Sequence, residues 1–157
     1  MEHVRAAGPD DRVPCAALLA GALAELDDQR DGALAGLLDG PSPWPPDPAT
    51  LVAAWAADAD GYLAVGTIDD VVVGLAAGRT ERRGERLLGL VTACYVEREA
   101  RGIGVGTALL GSLVEWFAGR GCTGVDAPAL PGDRATKQLY EGAGFKARLL
   151  VLHRPLG

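Results

Sequence analysis

Apolar residues recur at helical spacing through the first third of this chain. A short strand candidate at 3–7 is followed by Gly8-Pro9-Asp10-Asp11, which supplies a turn and a helix cap. Behind that cap the apolar positions fit one face of a helix: Val13, Ala17, Leu18, Leu23 and Leu26. Two more helical pieces are predicted at 31–38 and 48–59, on either side of a stiff, proline-rich loop at 40–48. The first sixty residues are therefore predicted to be mainly helical.

From residue 61 the pattern changes to apolar runs separated by short charged segments. Runs at 62–68, 71–80 and 86–96 have the length and composition of strands. Asp69-Asp70 forms a tight turn between the first two, and the charged segment 81–85 forms a second turn. Because strands joined by tight turns pair most simply with their neighbours, three successive antiparallel strands are predicted.

The remainder alternates between helix and strand. The segment 104–120 is predicted to be a helix with one apolar stripe: Leu109, Leu110, Leu113, Val114 and Phe117. A short strand at 124–127, a helix at 133–143 and a final strand at 145–152 follow. The predicted fold class is α/β (α+β): a mixed, mainly antiparallel sheet flanked by helices, with one strand–helix–strand crossover. A single domain of 157 residues is expected.

The crossover contains the most informative stretch, Arg101-Gly102-Ile103-Gly104-Val105-Gly106. Glycines let the backbone fold tightly and turn several N–H groups the same way. The helix that follows leaves further N–H donors unpaired at the positive end of its dipole. This arrangement, with Arg101 beside it, predicts an anion site suited to a phosphate or pyrophosphate.

Three known phosphate-binding loops resemble this spacing. A P-loop is excluded because no lysine follows Gly106. A dinucleotide fingerprint gains some support from Asp126, which lies twenty residues after Gly106. However, Leu109 occupies the place of its third small residue, and too little chain follows for a doubly wound domain. The third pattern, Arg/Gln-x-x-Gly-x-Gly/Ala, is matched in full.

Two segments together resemble the GNAT superfamily of acyl-CoA-dependent N-acetyltransferases. The first, 94–110, is similar to the strand and loop that hold coenzyme A in that family. The second, Leu139-Tyr140-Glu141-Gly142-Ala143-Gly144-Phe145, is similar to the family's Leu-Tyr-Glu-x-x-Gly-Phe segment. The resemblance covers about 60–146 and implies a GNAT-like sheet with a splayed central strand pair. Asp133 stands where the family often has Asn.

The resemblance implies a site for acetyl-CoA as co-substrate. Its cofactor-binding residues would be Cys94, Tyr95, Val96, Arg101, Gly102, Ile103, Gly104, Val105, Gly106 and Thr107. Tyr140 matches the family's general acid, which would protonate the leaving thiolate. No Glu lies in the strand 86–96, so the base that frees the attacking amine stays open. The candidates are water, Asp126, Glu85 and Glu97.

The charge is unevenly placed along the chain, whose formal net charge is −6. Residues 1–60 carry eleven acidic side chains against three Arg, whereas 61–157 is slightly basic. The acidic half disfavours nucleic acid and anionic membranes as partners, and the basic half suits an anionic ligand. We therefore expect 61–157 to form the coenzyme A side and 1–60 mainly the acceptor side, which favours a cationic small molecule or a protein amino group.

The expected function is that of an N-acetyltransferase acting by direct attack of a primary amine in a ternary complex. The alternative is a non-catalytic coenzyme A-binding module with the same fold, a sensor or partner subunit. Three unclustered cysteines argue against a disulfide framework and against a metal site. No apolar run approaches membrane-spanning length, so a cytoplasmic protein is expected. A homodimer is also expected, since members of the resembled family commonly dimerise.

Overall fold

The computed structural model describes residues 1–27, 47–129, 133–154 and 156–157. Over these residues the chain forms the following helices and strands: β1 Glu2–Ala6, α1 Arg12–Asp27, α2 Pro48–Ala57, β2 Gly61–Ile68, β3 Val71–Arg83, β4 Arg86–Val96, α3 Val105–Gly119, β5 Gly124–Asp126 and α4 Arg134–Gly142. Short 3-10 turns lie at Pro9–Asp11 and Arg98–Ala100. No described helix has both the length and the apolar character that a membrane crossing requires.

The strands form one sheet in the order β1-β2-β3-β4-β5. The first four pair antiparallel, and β5 pairs parallel to β4 after the crossover through α3. Asp69 and Asp70 both have positive φ, 48° and 66°, which is the geometry of a two-residue hairpin turn. The predicted mixed, mainly antiparallel sheet with helices on its faces is confirmed.

The sheet separates two apolar cores because successive strand residues point to opposite faces. On one face the core is centred on α3, whose Leu109, Leu110, Leu113 and Phe117 are fully buried. On the other face α1 and α2 cover the sheet with residues that include Cys15, Leu19 and Val52. Val114, predicted to belong to the α3 stripe, lies at its margin and is 36% exposed.

Two predicted elements differ from the structure. The charged segment 81–85 is not all turn, because β3 continues to Arg83 and pairs with β4 up to Arg86. The segment 145–152 forms no strand. The neighbouring β5 has only three residues, which offers little edge for pairing, and Arg148 instead contacts Asp126 through side chains. The apolar residues of this segment are exposed: Leu149, Leu150, Val151 and Leu152. The predicted helix 31–38 and most of the loop 40–48 lie outside the described residues.

Close packing of Phe117 against β4 gives a prediction about stability. A Cβ added at Gly89 would lie 2.5 Å from Cγ of the buried Phe117 ring, so Gly89→Ala must displace a side chain that has no free space. Overpacking of this kind costs about 1–3 kcal/mol in the free energy of unfolding.

Gly111 in α3 is the matched control, because a Cβ there meets no atom within 4 Å. Gly111→Ala is expected to stabilise by up to about 1 kcal/mol, since alanine is the better helix former. The free energy of unfolding of each variant and of wild type is measured by urea denaturation. Equal effects of the two substitutions would contradict this account of the core.

Candidate active site

The site begins at the edge of β4 that faces away from β3. β5 pairs only with Leu88–Leu90, so no described strand lies along the outer edge of β4 beyond Leu90. At its far end Glu97 donates its N–H to the Val73 carbonyl at 2.9 Å. Because antiparallel pairing alternates, the main-chain groups of Cys94 and Val96 then point to the open edge. A register shift between Ala77 and Gly78 of β3 leaves Thr92 as a bulge in β4, two residues beyond the last pairing of β4 with β5.

The glycine loop turns from β4 into α3. Gly102 and Gly104 have φ of 89° and 94°, a region that strains any residue with a side chain, and Gly104 caps α3. The buried side chain of Val105 anchors the loop in the α3 core. The N–H groups of residues 102 to 107 have no acceptor among the described residues. Several unpaired donors at a helix N-terminus would suit a diphosphate, and the anion site stays a prediction.

Arg101 does not point into this loop. Its Nε donates to the Val96 carbonyl at 2.8 Å, and one terminal nitrogen lies 3.0 and 2.9 Å from the two carboxylate oxygens of Glu25. The guanidinium also lies 5.3 Å from the ring centre of Tyr95. The side chain of Arg101 therefore joins β4 to α1, while its backbone begins the loop.

Glu25 is a residue that the sequence analysis missed. Besides Arg101 it accepts a hydrogen bond from the Tyr95 hydroxyl at 3.1 Å, and Arg98 lies 3.7 Å away. Burial alone would raise the pKa of Glu25, but the hydrogen bond and charge of Arg101, followed by the Tyr95 hydroxyl, hold it below the ordinary value. Glu25 is therefore an ionised anchor. A carboxylate near the end of an amphipathic helix carries no signal in the sequence that distinguishes it from a solvated one.

Tyr140 lies on α4, on the same side of the sheet as Cys94 and Val96. It is only 7% exposed, and its ring centre is 5.5 Å from that of Phe145. Asp133 caps α4 by accepting the Thr136 N–H at 3.1 Å. Burial, then the nearby Cys94 thiol and Asp133, raise the pKa of Tyr140. The phenol therefore stays protonated, and its hydroxyl has no hydrogen-bond partner among the described residues.

Cys94 is held as a neutral thiol. Its side chain packs against the α3 core, and burial raises its pKa to about 12. A thiol attacks carbonyl carbon as its thiolate, so Cys94 is a poor nucleophile at neutral pH. Direct attack by the acceptor amine needs no such intermediate.

The three predicted base candidates lie in different places. Asp126 ends β5 and accepts a hydrogen bond from Nε of Arg148 at 2.8 Å, which lowers the pKa of its carboxyl and makes it a weaker base. Glu85 lies in the exposed turn between β3 and β4. Glu97 follows β4 directly and lines a cleft beneath α1 together with Tyr95. The described side chains therefore bring no candidate base into contact with Tyr140 or Cys94.

The chain belongs to the acetyltransferase (GNAT) family, whose model matches residues 26–145. No curated protein matches it.

Several solved structures share its fold. They include a transcriptional regulator from Bacillus halodurans C-125 (TM-score 0.76, 19% identity, covering 99% of this chain and 100% of that one). A ribosomal-protein-alanine N-acetyltransferase from Brucella melitensis biovar Abortus 2308 is similar (TM-score 0.71, 18% identity, 100% of both chains). So is an aminoglycoside N-acetyltransferase in complex with CoA (TM-score 0.74, 14% identity, 99% of this chain and 95% of that one). At these identities the likeness establishes the fold.

The burial of Cys94 predicts slow alkylation. A thiol with a pKa of about 12 has roughly a thousandfold less thiolate at pH 8 than one with a pKa near 9. Iodoacetamide labelling of the native protein, followed by peptide mass spectrometry, should therefore modify Cys94 at least that much more slowly than the same cysteine in denaturant. Labelling at the rate of a free thiol would contradict the neutral, buried state and reopen a covalent route through Cys94.

Proposed function

We propose that this protein is an N-acetyltransferase that moves the acetyl group of acetyl-CoA to a primary amine by direct attack in a ternary complex. The observation that carries the proposal is the set of unpaired amides at residues 102 to 107, at the end of an open strand edge, with the protonated phenol of Tyr140 on the same side of the sheet. Membership of the acetyltransferase family supports it.

The chain would hold the coenzyme largely through its backbone. The amides from Gly102 to Thr107 would bind the diphosphate. The outward main-chain groups of Cys94 and the outward N–H of Val96 would pair with the extended arm that carries the thioester. Backbone N–H groups at this edge are also suited to stabilise negative charge on the thioester oxygen. Tyr95 belongs to the same segment, and its side chain contacts Glu25 on the opposite face of the sheet.

Tyr140 would supply the proton that the reaction needs on the leaving sulfur. When the amine nitrogen bonds to the acetyl carbon, the carbon–sulfur bond breaks and the electron pair stays on sulfur. The Tyr140 hydroxyl, which has no competing partner among the described residues, would donate its proton to that sulfur. The amine loses a proton to water or to a carboxylate.

The acceptor would approach from the acidic first part of the chain. Eleven acidic side chains among residues 1–60 favour a cationic amine. The names of similar structures include both a ribosomal-protein alanine and aminoglycosides as acceptors, so a protein amino group and a small polyamine are both reasonable. A homodimer stays a prediction, and the exposed apolar residues at 149–152 support it.

A coenzyme A-binding module without turnover is the second candidate. It is favoured by the absence of Glu from β4 and by the regulator named among the similar structures. The two functions differ in one observable: both bind coenzyme A, but only the enzyme releases free thiol from acetyl-CoA when an amine is present.

Tyr140→Phe tests the proposed role of the phenol. With a panel of protein, peptide and polyamine acceptors, the wild type should release thiol. Tyr140→Phe should lower kcat by about a hundredfold or more while KM for acetyl-CoA changes little, because only proton donation is lost. Because the pKa of Tyr140 is raised above its ordinary value, the wild-type rate should show no loss from its ionisation up to about pH 10.

Tyr62→Phe is the matched control. Tyr62 lies on β2, where it stacks on Trp116 and its hydroxyl is 3.2 Å from that of Ser112. An unchanged kcat in Tyr140→Phe would remove Tyr140 from the mechanism. Coenzyme A binding with no thiol release from any acceptor would favour the non-catalytic module, and failure to bind coenzyme A would exclude both functions.

A further inference from the structure

The carboxylate of Glu25 joins the acceptor half of the chain to the coenzyme loop. It lies on the last turns of α1, yet its partners are Tyr95 on β4 and Arg101 at the start of the loop. We propose that Glu25 is a positioning residue, which holds the loop in its binding conformation through Arg101 and Tyr95. The inference rests on the proposed function, because it concerns the same coenzyme site.

Glu25 would act on the loop through Arg101. The guanidinium holds the last carbonyl of β4 with Nε and the Glu25 carboxylate with a terminal nitrogen, at 2.8 and 2.9 Å. The backbone of the same residue leads directly into Gly102, which has positive φ. Fixing the Arg101 side chain at two points therefore fixes the entry to the loop. Glycine-rich backbone has much conformational freedom to lose, so such a restraint should favour the ordered loop.

Tyr95 makes a second contact between β4 and α1. A Cβ placed on Gly21 would lie 3.1 Å from the Tyr95 hydroxyl, so this glycine makes room for the phenol against the helix. From that position the hydroxyl donates to Glu25 at 3.1 Å, and the ring lies beneath the Arg101 guanidinium. The three side chains form one connected group, which we call the α1–loop clamp: Glu25, Tyr95 and Arg101.

The clamp and simple electrostatics predict opposite changes in coenzyme A affinity when the charge of Glu25 is removed. Glu25 is a negative charge close to a site for a diphosphate, so removing the charge alone should strengthen coenzyme A binding. If Glu25 instead orders the loop through Arg101, removing the carboxylate should weaken binding. The direction of the change therefore separates the two roles.

The first experiment is calorimetric titration of the full chain with coenzyme A. Glu25→Gln should raise Kd about tenfold, as expected for losing a hydrogen bond to a charged group. Tyr95→Phe, which keeps the ring but loses the hydroxyl, should raise Kd by a smaller factor. Arg101→Gln is compared alone and combined with Glu25→Gln. The double variant should bind no more weakly than the weaker-binding of the two single variants, because both substitutions break the same link.

Glu81→Gln is the charge-matched control. Glu81 lies on β3 and pairs with Arg83 at 3.0 Å, within its own strand and outside the clamp. Its substitution removes the same charge from an exposed ion pair and should leave Kd unchanged. Unchanged or tighter binding in Glu25→Gln would overturn the inference.

The second experiment does not depend on the coenzyme. Amide hydrogen exchange of Ala100 and Arg101, whose N–H groups donate to the Glu97 and Arg98 carbonyls at the entry to the loop, should be faster in the free Glu25→Gln and Tyr95→Phe variants than in wild type and in Glu81→Gln. If wild type fails to bind coenzyme A but exchange in the loop responds as described, the proposed function fails and the clamp stands. If wild type binds but neither affinity nor exchange responds, the clamp fails and the proposed function stands. Should Glu25→Gln fold poorly, Tyr95→Phe carries both measurements.

Discussion

The candidate site depends on backbone N–H and C=O groups that have no hydrogen-bond partner among the described residues. A folded chain normally pairs its main-chain donors and acceptors, because leaving them unmet and buried costs free energy. Here β5 follows β4 for three residues only, and the loop after β4 turns its amides outward. Within the described part of the chain, such groups lie together along the outer edge of β4 and in the loop that follows it. Their concentration gives a polar, directional surface on a rigid sheet, suited to an extended ligand with a diphosphate.

The environment of that surface keeps the nearby ionisable groups neutral. Burial raises the pKa of both Cys94 and Tyr140, so neither a thiolate nor a phenolate forms readily there. A neutral thiol is a weak nucleophile, whereas a neutral phenol is a proton donor. One physical cause, removal from water, thus makes Cys94 a poor nucleophile and keeps Tyr140 protonated, as the proposed direct transfer requires. On the opposite face of the sheet, Glu25 keeps its charge because Arg101 lies against it.

What the sequence could predict follows from how local each signal is. Gly102 and Gly104 were identifiable because the backbone angles of the loop favour glycine, and the α3 stripe because helical periodicity is read from neighbouring positions. The side-chain direction of Arg101 could not be predicted, since it depends on a contact with Glu25, seventy-six positions away. The strand predicted at 145–152 does not form, for a related reason. Its apolar composition is strand-like, but a strand forms only where an edge of matching length accepts it, and β5 is short.

The central claim is that the amides of the glycine loop hold the diphosphate. Two-dimensional nitrogen–proton NMR of the labelled protein during coenzyme A titration tests it most directly. The amide signals of Gly102 to Thr107 should shift strongly with coenzyme A, whereas pantetheine, which lacks the diphosphate, should leave them in place. If coenzyme A bound while these signals stayed unmoved and others shifted instead, the diphosphate would lie elsewhere and the account of the site would be wrong.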